Sequence, residues 1–265
     1  MTADDKSPLN ASDSGGKNGF NGAKRKILRF LFPSDLTCNV CGREIFDGYF
    51  CAECENTLPY NNGTICAHCG RLIFNPEERC FSCNGRETWF NRARSVFVYE
   101  PPICHLITSL KYDGKRYLAE VFASLMETVY FSSFFNSEVI VYPPMSEERL
   151  KERGYNQAEL LAKELSLRIG VPVADNAFKK VKETARQATL DATRRRINLS
   201  GSFAIKDKTA IKGKRVLLID DVMTTGATVE TLSHLMIKHG ALSRDVLTVA
   251  SVAKGIEGKI GKSEG

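Results

Sequence analysis

Two adjacent carboxylates, Asp220 and Asp221, directly follow a run of four branched apolar residues, Val216 to Ile219. Such a run predicts a strand buried on both faces, and ligands bind at the carboxyl edge of open α/β sheets. The next residues, Val222 to Thr228, contain three threonines and one glycine before a predicted helix. Free amides and the positive end of a helix dipole bind phosphate. The stretch therefore predicts a sugar phosphate site, with the carboxylates accepting hydrogen bonds from vicinal hydroxyls.

A second candidate anion site follows the predicted strand Val139 to Tyr142. Arg149 and Arg153 lie shortly before Asn156, whose side chain can cap the N-terminus of the next helix. We expect that helix to continue to Gly170, because leucines recur at helical spacing and glycine commonly ends a helix. Two guanidinium groups beside a helix N-terminus can clamp a pyrophosphate.

Positive charge is concentrated between Lys179 and Arg215, where twelve Lys or Arg residues accompany three acidic residues. Such a segment could close over a bound anion, bind nucleic acid, or form a solvated basic face. Its only nearby aromatic residues are Phe178 and Phe203, which disfavours a base-stacking platform.

Eight of the nine cysteines form four C-x-x-C pairs, arranged as an internal repeat. The first pair of each unit recurs with an offset of 28 residues and the second pair with an offset of 29. Four thiolates with no open position suit structural zinc rather than catalysis. We assign one zinc to each unit. A cross-braced arrangement, in which each zinc binds alternate C-x-x-C pairs (knuckles), also fits the spacing. The two predicted ligand sets are Cys38, Cys41, Cys51 and Cys54, and Cys66, Cys69, Cys80 and Cys83.

A chain of 265 residues that is 43% hydrophobic can bury one sizeable domain and a small module. No run approaches the roughly 18 apolar residues of a membrane span, and the first 22 residues are too polar for a signal peptide. We therefore expect a cytoplasmic protein. The sequence has no G-x-x-x-x-G-K-[ST] pattern, which disfavours a nucleoside triphosphatase.

The stretch from Val216 to Thr228 resembles the phosphoribosyl pyrophosphate (PRPP) motif of type I phosphoribosyltransferases. The Arg149-x-x-x-Arg153-Gly-Tyr-Asn-Gln element and the cysteine repeat narrow the resemblance to the ComF/GntX family, which is associated with competence. This resemblance implies a complex with PRPP and Mg²⁺. It also implies that the basic segment forms a flexible loop, and that the element Leu110-Lys111-Tyr112 contributes to a lid over the PRPP site. The implied PRPP-binding residues are Asp220, Asp221, Val222, Met223, Thr224, Thr225, Gly226, Ala227, Thr228, Lys111, Arg186 and Arg194.

We predict an α/β fold of the type I phosphoribosyltransferase class, with a mostly parallel sheet and a small lid, preceded by a double zinc ribbon. The predicted parts are a disordered basic tail (1–34), the double ribbon (35–90), the phosphoribosyltransferase domain (91–254) and a flexible tail (255–265). Further predicted elements are a strand at 94–99, helices at 103–110 and 115–131, a turn at 111–115, a short strand at 171–173 and a last strand at 246–252.

If the protein is an enzyme, an acceptor would displace pyrophosphate from the anomeric carbon of PRPP. Asp220 and Asp221 would orient the ribose, while Arg149 and Arg153 would stabilise the departing charge. Replacing either aspartate with Asn should remove PRPP binding and leave the fold intact. Two other classes stay open: a PRPP sensor without turnover, and a zinc-ribbon scaffold that contacts single-stranded DNA or DNA-uptake proteins.

Overall fold

The structure is a computed structural model that describes residues 37–73, 79–80, 83–84, 88–133, 136–181 and 201–253. The chain divides into two compact units, residues 1–51 and 52–265. The predicted tails at 1–34 and 255–265 lie outside the described residues. Among the helices that the structure describes, none has the length and apolar character needed to cross a membrane.

A parallel sheet forms the centre of the larger unit. In order across the sheet, its strands are β1 (Arg92–Val98), β6 (Ser243–Ser251), β5 (Arg215–Met223) and β2 (Val139–Val141). Each neighbouring pair is parallel, so all four carboxyl ends meet at one edge. The central residues of β5, Leu217 to Ile219, are fully buried, as the apolar run predicts. The chain therefore delivers Asp220 and Asp221 to the edge where such sheets bind ligands.

Six helices are described in the larger unit: α1 (Ala52–Glu55), α2 (Ile103–Tyr112), α3 (Leu118–Ser133), α4 (Glu147–Arg153), α5 (Gln157–Ile169) and α6 (Ala227–Lys238). Val229, Leu232 and Met236 of α6 join a buried cluster with Val216 and Leu218 of β5. Helix α3 packs against β1 and α5, and α5 also packs against β5. This packing positions the N-termini of α5 and α6 relative to the carboxyl end of β5.

Helix α2 is longer than predicted, so the proposed turn at 111–115 begins too early. The helix continues through Lys111 and Tyr112, and Asp113 follows it as the C-cap residue. Asp113 accepts a hydrogen bond from the Ser109 hydroxyl at 2.8 Å and donates its own N–H to the Ser109 carbonyl at 3.0 Å. Gly114, with φ +68°, then reverses the chain. As a result, a rigid element presents Lys111.

The predicted loop around Arg149 instead contains the short helix α4. The Ser146 hydroxyl caps this helix by accepting a hydrogen bond from the Arg149 N–H at 3.5 Å. Acidic residues occupy the first turn and basic residues the last, which complements the helix dipole. Gly154, with φ +78°, ends the helix. The Asn156 cap and the helix that follows it to Gly170 agree with the prediction.

The predicted strand at 171–173 is reduced to an isolated bridge between Val173 and Ile140, because Pro172 has no N–H to donate to a ladder. A separate antiparallel pair, β3 (Phe178–Lys180) and β4 (Phe203–Ile205), follows. Most of the segment between these strands, residues 182–200, lies outside the described residues, and the predicted lid falls there.

Candidate functional site

A cavity of about 270 Å³ opens at the carboxyl edge of the sheet. Both of the polar segments singled out in the sequence line it. From β5, the loop after it and the start of α6 come Asp220, Asp221, Val222, Thr224 and Thr228, and from α2 and α4 come Lys111, Arg149 and Arg153. The structure thus brings together carboxylates, hydroxyls and guanidinium groups around a single cavity.

Asp221 forms an ion pair with Lys111, whose Nζ contacts Asp221 Oδ2. The Asp221 side chain is almost completely buried, and Lys111 is mostly buried. Burial by itself would raise the pKa of Asp221, but the Lys111 ammonium, together with the Asp220 and Gln157 side chains, holds that pKa below its usual value. Burial would likewise lower the pKa of Lys111, but the Asp221 carboxylate outweighs it and raises that pKa. Both groups are therefore charged in the folded protein.

Asp220 has a different environment from its neighbour. Its Oδ1 accepts a hydrogen bond from the Asp221 N–H at 2.8 Å. Burial and the negative charge of Asp221 raise the pKa of Asp220 well above its ordinary value. The two groups therefore differ: Lys111 neutralises the Asp221 carboxylate, whereas the environment of Asp220 favours its protonated form until a cation or a ligand hydroxyl stabilises the charge.

The threonine loop turns directly into helix α6. Gly226 is the N-cap residue of this helix and has φ +82° and ψ +7°, a left-handed conformation that favours glycine. The Thr225 hydroxyl accepts a hydrogen bond from the Ala227 N–H at 3.3 Å. Met223 is only 2% exposed and joins the apolar core. The loop therefore presents Thr224 and Thr228 to the cavity at the N-terminus of a helix.

Arg149 and Arg153 also line the cavity. Arg153 donates a hydrogen bond to Gln157 Oε1 at 2.5 Å, and its guanidinium lies 4.7 Å from the centroid of the Tyr112 ring. Gln157 also helps to lower the pKa of Asp221. Gln157 and Asn156 were not among the predicted ligand residues, although both stand in the Arg-Gly-Tyr-Asn-Gln element that suggested the anion site. Tyr112, from the Leu-Lys-Tyr element expected over the site, and Lys180, from the basic segment, also line the cavity.

The remaining predicted site residues divide into two groups. Thr225, Gly226 and Ala227 form the turn and the first helical position between the cavity-lining residues Thr224 and Thr228. Arg186 and Arg194 lie outside the described residues, so their predicted roles stay predictions.

The paired cysteines form two tetrads, and within each tetrad the sulfur atoms lie within 4.8 Å of one another. The tetrads are Cys38, Cys41, Cys51 and Cys54, and Cys66, Cys69, Cys80 and Cys83. This grouping agrees with the sequential assignment and not with the cross-braced alternative. Four thiol ligands at this separation suit a closed zinc site.

The second tetrad is the more deeply buried of the two, since all four of its cysteines are at most 5% exposed. Its knuckle directs backbone amides at a thiol, because the N–H groups of Cys69 and Cys80 donate to Cys66 Sγ at 3.5 Å and 3.3 Å. In the first tetrad Cys41 is exposed.

Comparison with known proteins accounts for both parts of the chain. Residues 118–261 match the phosphoribosyl transferase domain family, and residues 27–84 match the double zinc ribbon domain family. Competence protein F of Haemophilus influenzae is 31% identical over 199 residues, which cover 72% of this chain and 85% of that protein. Competence protein ComFC of Bacillus subtilis is 27% identical over 237 residues, which cover 84% of this chain and 94% of that protein.

The DNA utilization protein YhgH of Escherichia coli strain K12 is 27% identical over 216 residues, which cover 79% of this chain and 94% of that protein. Among solved structures, adenine phosphoribosyltransferase from Thermoanaerobacter pseudethanolicus has 16% identity and a TM-score of 0.34, over 53% of this chain and 83% of that one. The phosphoribosyltransferase match spans more than half of the chain, and the competence proteins match along both parts. The chain therefore belongs to the ComF family, in which a double zinc ribbon precedes a phosphoribosyltransferase domain.

Proposed function

We propose that this protein binds PRPP with Mg²⁺ in the 270 Å³ cavity and transfers the phosphoribosyl group to an acceptor, releasing pyrophosphate. The observation that carries the proposal is the convergence of Asp220 and Asp221, the threonine loop and two arginines around that cavity. The carboxylates accept hydrogen bonds from the ribose hydroxyls. The loop and the N-terminus of α6 hold the 5′-phosphate, and Arg149 and Arg153 hold the pyrophosphate.

In the proposed reaction, a lone pair of the acceptor forms a bond to the anomeric carbon of the ribose. The bond from that carbon to the pyrophosphate oxygen breaks, and its electrons leave with pyrophosphate. The acceptor then releases its proton to solvent. Arg149 and Arg153 stabilise the charge that develops on the leaving group, and the aspartates hold the ribose in position for attack.

The donor set of the cavity fits Mg²⁺. This ion prefers oxygen ligands and is commonly held by one or two carboxylates together with substrate phosphates. Asp220 is the better placed of the two carboxylates, because Lys111 already neutralises Asp221. When bound, Mg²⁺ supplies positive charge to the pyrophosphate oxygens.

A second candidate function is supported by the names of the relatives, which include competence and DNA utilization proteins. The excess of positive charge between Lys179 and Arg215 suits a polyanion. In this alternative, the protein is a PRPP sensor or a scaffold for single-stranded DNA or DNA-uptake proteins. We also place it in the cytoplasm, where reducing conditions keep paired thiols available for zinc.

Calorimetric titration with PRPP and Mg²⁺ separates these functions. We expect saturable binding, followed by pyrophosphate release when a panel of bases and amines is added. Saturable binding without release for any acceptor would favour the sensor. Failure to bind PRPP, together with salt-dependent binding of single-stranded DNA, would overturn the proposal in favour of the scaffold.

The affinity for PRPP should also decrease as the pH is lowered through the raised pKa of Asp220. Above that pKa the carboxylate is ionised and accepts hydrogen bonds from the ribose, whereas below it the protonated group is a poorer acceptor. The ligand phosphates titrate as well, so the control is pyrophosphate with Mg²⁺, which has phosphates and no ribose hydroxyls. The ratio of PRPP affinity to pyrophosphate affinity should fall as the pH is lowered through that pKa. A ratio that does not change with pH would contradict this role of Asp220.

A further inference from the structure

We propose that Arg71, in the second zinc ribbon, is a positioning residue for the phosphate loop, so that binding of a 5′-phosphate depends on that ribbon. The inference deepens the proposed function and rests on it, because it concerns the same loop. It assigns the ribbon a part in ligand binding beyond holding zinc.

The Arg71 side chain reaches the loop from behind. Its Nη2 donates a hydrogen bond to the backbone carbonyl of Thr224. The same nitrogen lies 3.6 Å from the position that a Cβ would occupy on Gly226. Arg71 is only 4% exposed. The guanidinium therefore lies against the turn that leads from Thr224 into the first residue of α6.

This contact orients the loop amides. In a trans peptide unit the carbonyl and the following N–H point in opposite directions. Because the Thr224 carbonyl points toward Arg71, the N–H of Thr225 points away from Arg71. Loss of the Arg71 contact would let this peptide unit rotate and present a carbonyl oxygen in place of an N–H. A carbonyl oxygen repels a phosphate, whereas an N–H binds it.

The charge of Arg71 points to the same ligand. Within the described part of the chain, its buried Nε has no hydrogen-bond partner, and the negative group with which it interacts is the Cys69 thiolate. Burying a cation is unfavourable unless it acquires a compensating anion. A phosphate bound on the opposite side of the loop adds negative charge near this guanidinium, so ligand binding and Arg71 burial stabilise one another.

The zinc knuckle sets the position of Arg71. The Arg71 carbonyl accepts a hydrogen bond from the Cys66 N–H at 2.9 Å. The neighbouring Gly70 packs so closely on β1 that a Cβ there would lie 2.3 Å from the Ala93 carbonyl oxygen. The Ala93 N–H in turn donates to the His68 carbonyl at 2.8 Å. Since metal binding and folding of such ribbons are coupled, zinc maintains the backbone from which Arg71 extends.

The internal repeat provides a matched control. Arg43 follows the first knuckle with the same Cys-x-x-Cys-Gly-Arg spacing as Arg71. Arg43 is exposed, and a Cβ on Gly42 would meet no atom within 4 Å, in contrast to Gly70. The two arginines are equivalent in sequence and differ in environment.

The test measures binding of three probes to the full-length, zinc-loaded protein by calorimetry: ribose 5-phosphate, PRPP with Mg²⁺, and pyrophosphate with Mg²⁺. For Arg71→Ala we expect at least about a tenfold loss of affinity for ribose 5-phosphate and PRPP, corresponding to about 1.4 kcal/mol. Affinity for pyrophosphate and the zinc content should match the parent. Arg43→Ala should behave as the parent. Arg71→Lys should be intermediate, because lysine keeps the charge and loses the planar fork.

Parental affinity of Arg71→Ala for ribose 5-phosphate would overturn the inference. So would an equal loss of affinity for pyrophosphate, because that result describes general damage to the domain. If Arg71→Ala does not fold, the same titrations are carried out with Arg71→Lys. Parental affinity of that variant for ribose 5-phosphate would overturn the positioning role. A parent protein that binds neither ribose 5-phosphate nor PRPP would instead refute the proposed function itself.

Discussion

Replacing Asp221 with Asn should abolish PRPP binding and also lower the free energy of unfolding. A hydrogen bond to a charged group contributes about 1.5–3 kcal/mol, so losing the bonds to the ribose hydroxyls weakens binding by at least tenfold. The effect on stability arises from Lys111, which would be left buried without its counter-charge. Removing one partner of a buried ion pair commonly costs about 3–5 kcal/mol. The structure therefore predicts a loss of stability, whereas the sequence alone predicted an unaffected fold.

A double variant separates the two effects. Asp221→Asn combined with Lys111→Met removes both charges, and we expect it to recover most of the lost stability without recovering PRPP binding. Unfolding in urea and calorimetric titration measure the two quantities on the same samples. Asp175→Asn is the control, because Asp175 is half-exposed, its ion pair is with the exposed Lys163, and an Asn oxygen can still accept its hydrogen bond from Tyr142. If Asp221→Asn binds PRPP as the parent does, the assignment of the site is wrong.

The second large effect concerns zinc. Elemental analysis should find two zinc ions per chain, and Cys69→Ser should lose one of them together with most of the stability of the larger unit. The four cysteines of that tetrad belong to the buried core, which also contains Phe90, Ala93 and Val246. Apparent zinc-binding free energies in zinc-finger peptides are about 10–16 kcal/mol, so loss of this ion should shift the thermal midpoint strongly.

The matched control for Cys69→Ser is Cys41→Ser, at the equivalent position of the first ribbon. Cys41 is exposed, so we expect this variant to lose one zinc ion with a much smaller change in the thermal midpoint. Thermal unfolding followed by circular dichroism measures both variants. One zinc ion per parent chain would contradict the two-tetrad arrangement. Equal thermal midpoints for the two variants would contradict the greater importance of the second ribbon.

Local sequence determined the elements that carry the candidate ligands. A run of apolar residues before Asp220 predicted a buried strand because side-chain burial on both faces needs that composition. Asn156 predicted a helix start because its side chain can satisfy a free backbone N–H. The cysteine spacing predicted closed tetrads because the knuckle geometry is short-range. In each case the physical cause acts between residues that are close in the chain, so the local sequence pattern is sufficient to predict the element.

Contacts between distant parts of the chain could be decided only by the tertiary structure. Lys111 was expected in a turn near the ligand. It instead lies at the end of α2, and the fold of the domain places its side chain beside Asp221 of β5. Arg43 and Arg71 have the same local sequence, so no pattern could distinguish them. Arg71 alone is buried against the phosphate loop, because close packing of Gly70 on β1 places the second knuckle there. Local sequence therefore determined which residues could bind a ligand, whereas long-range packing decided which charges they face.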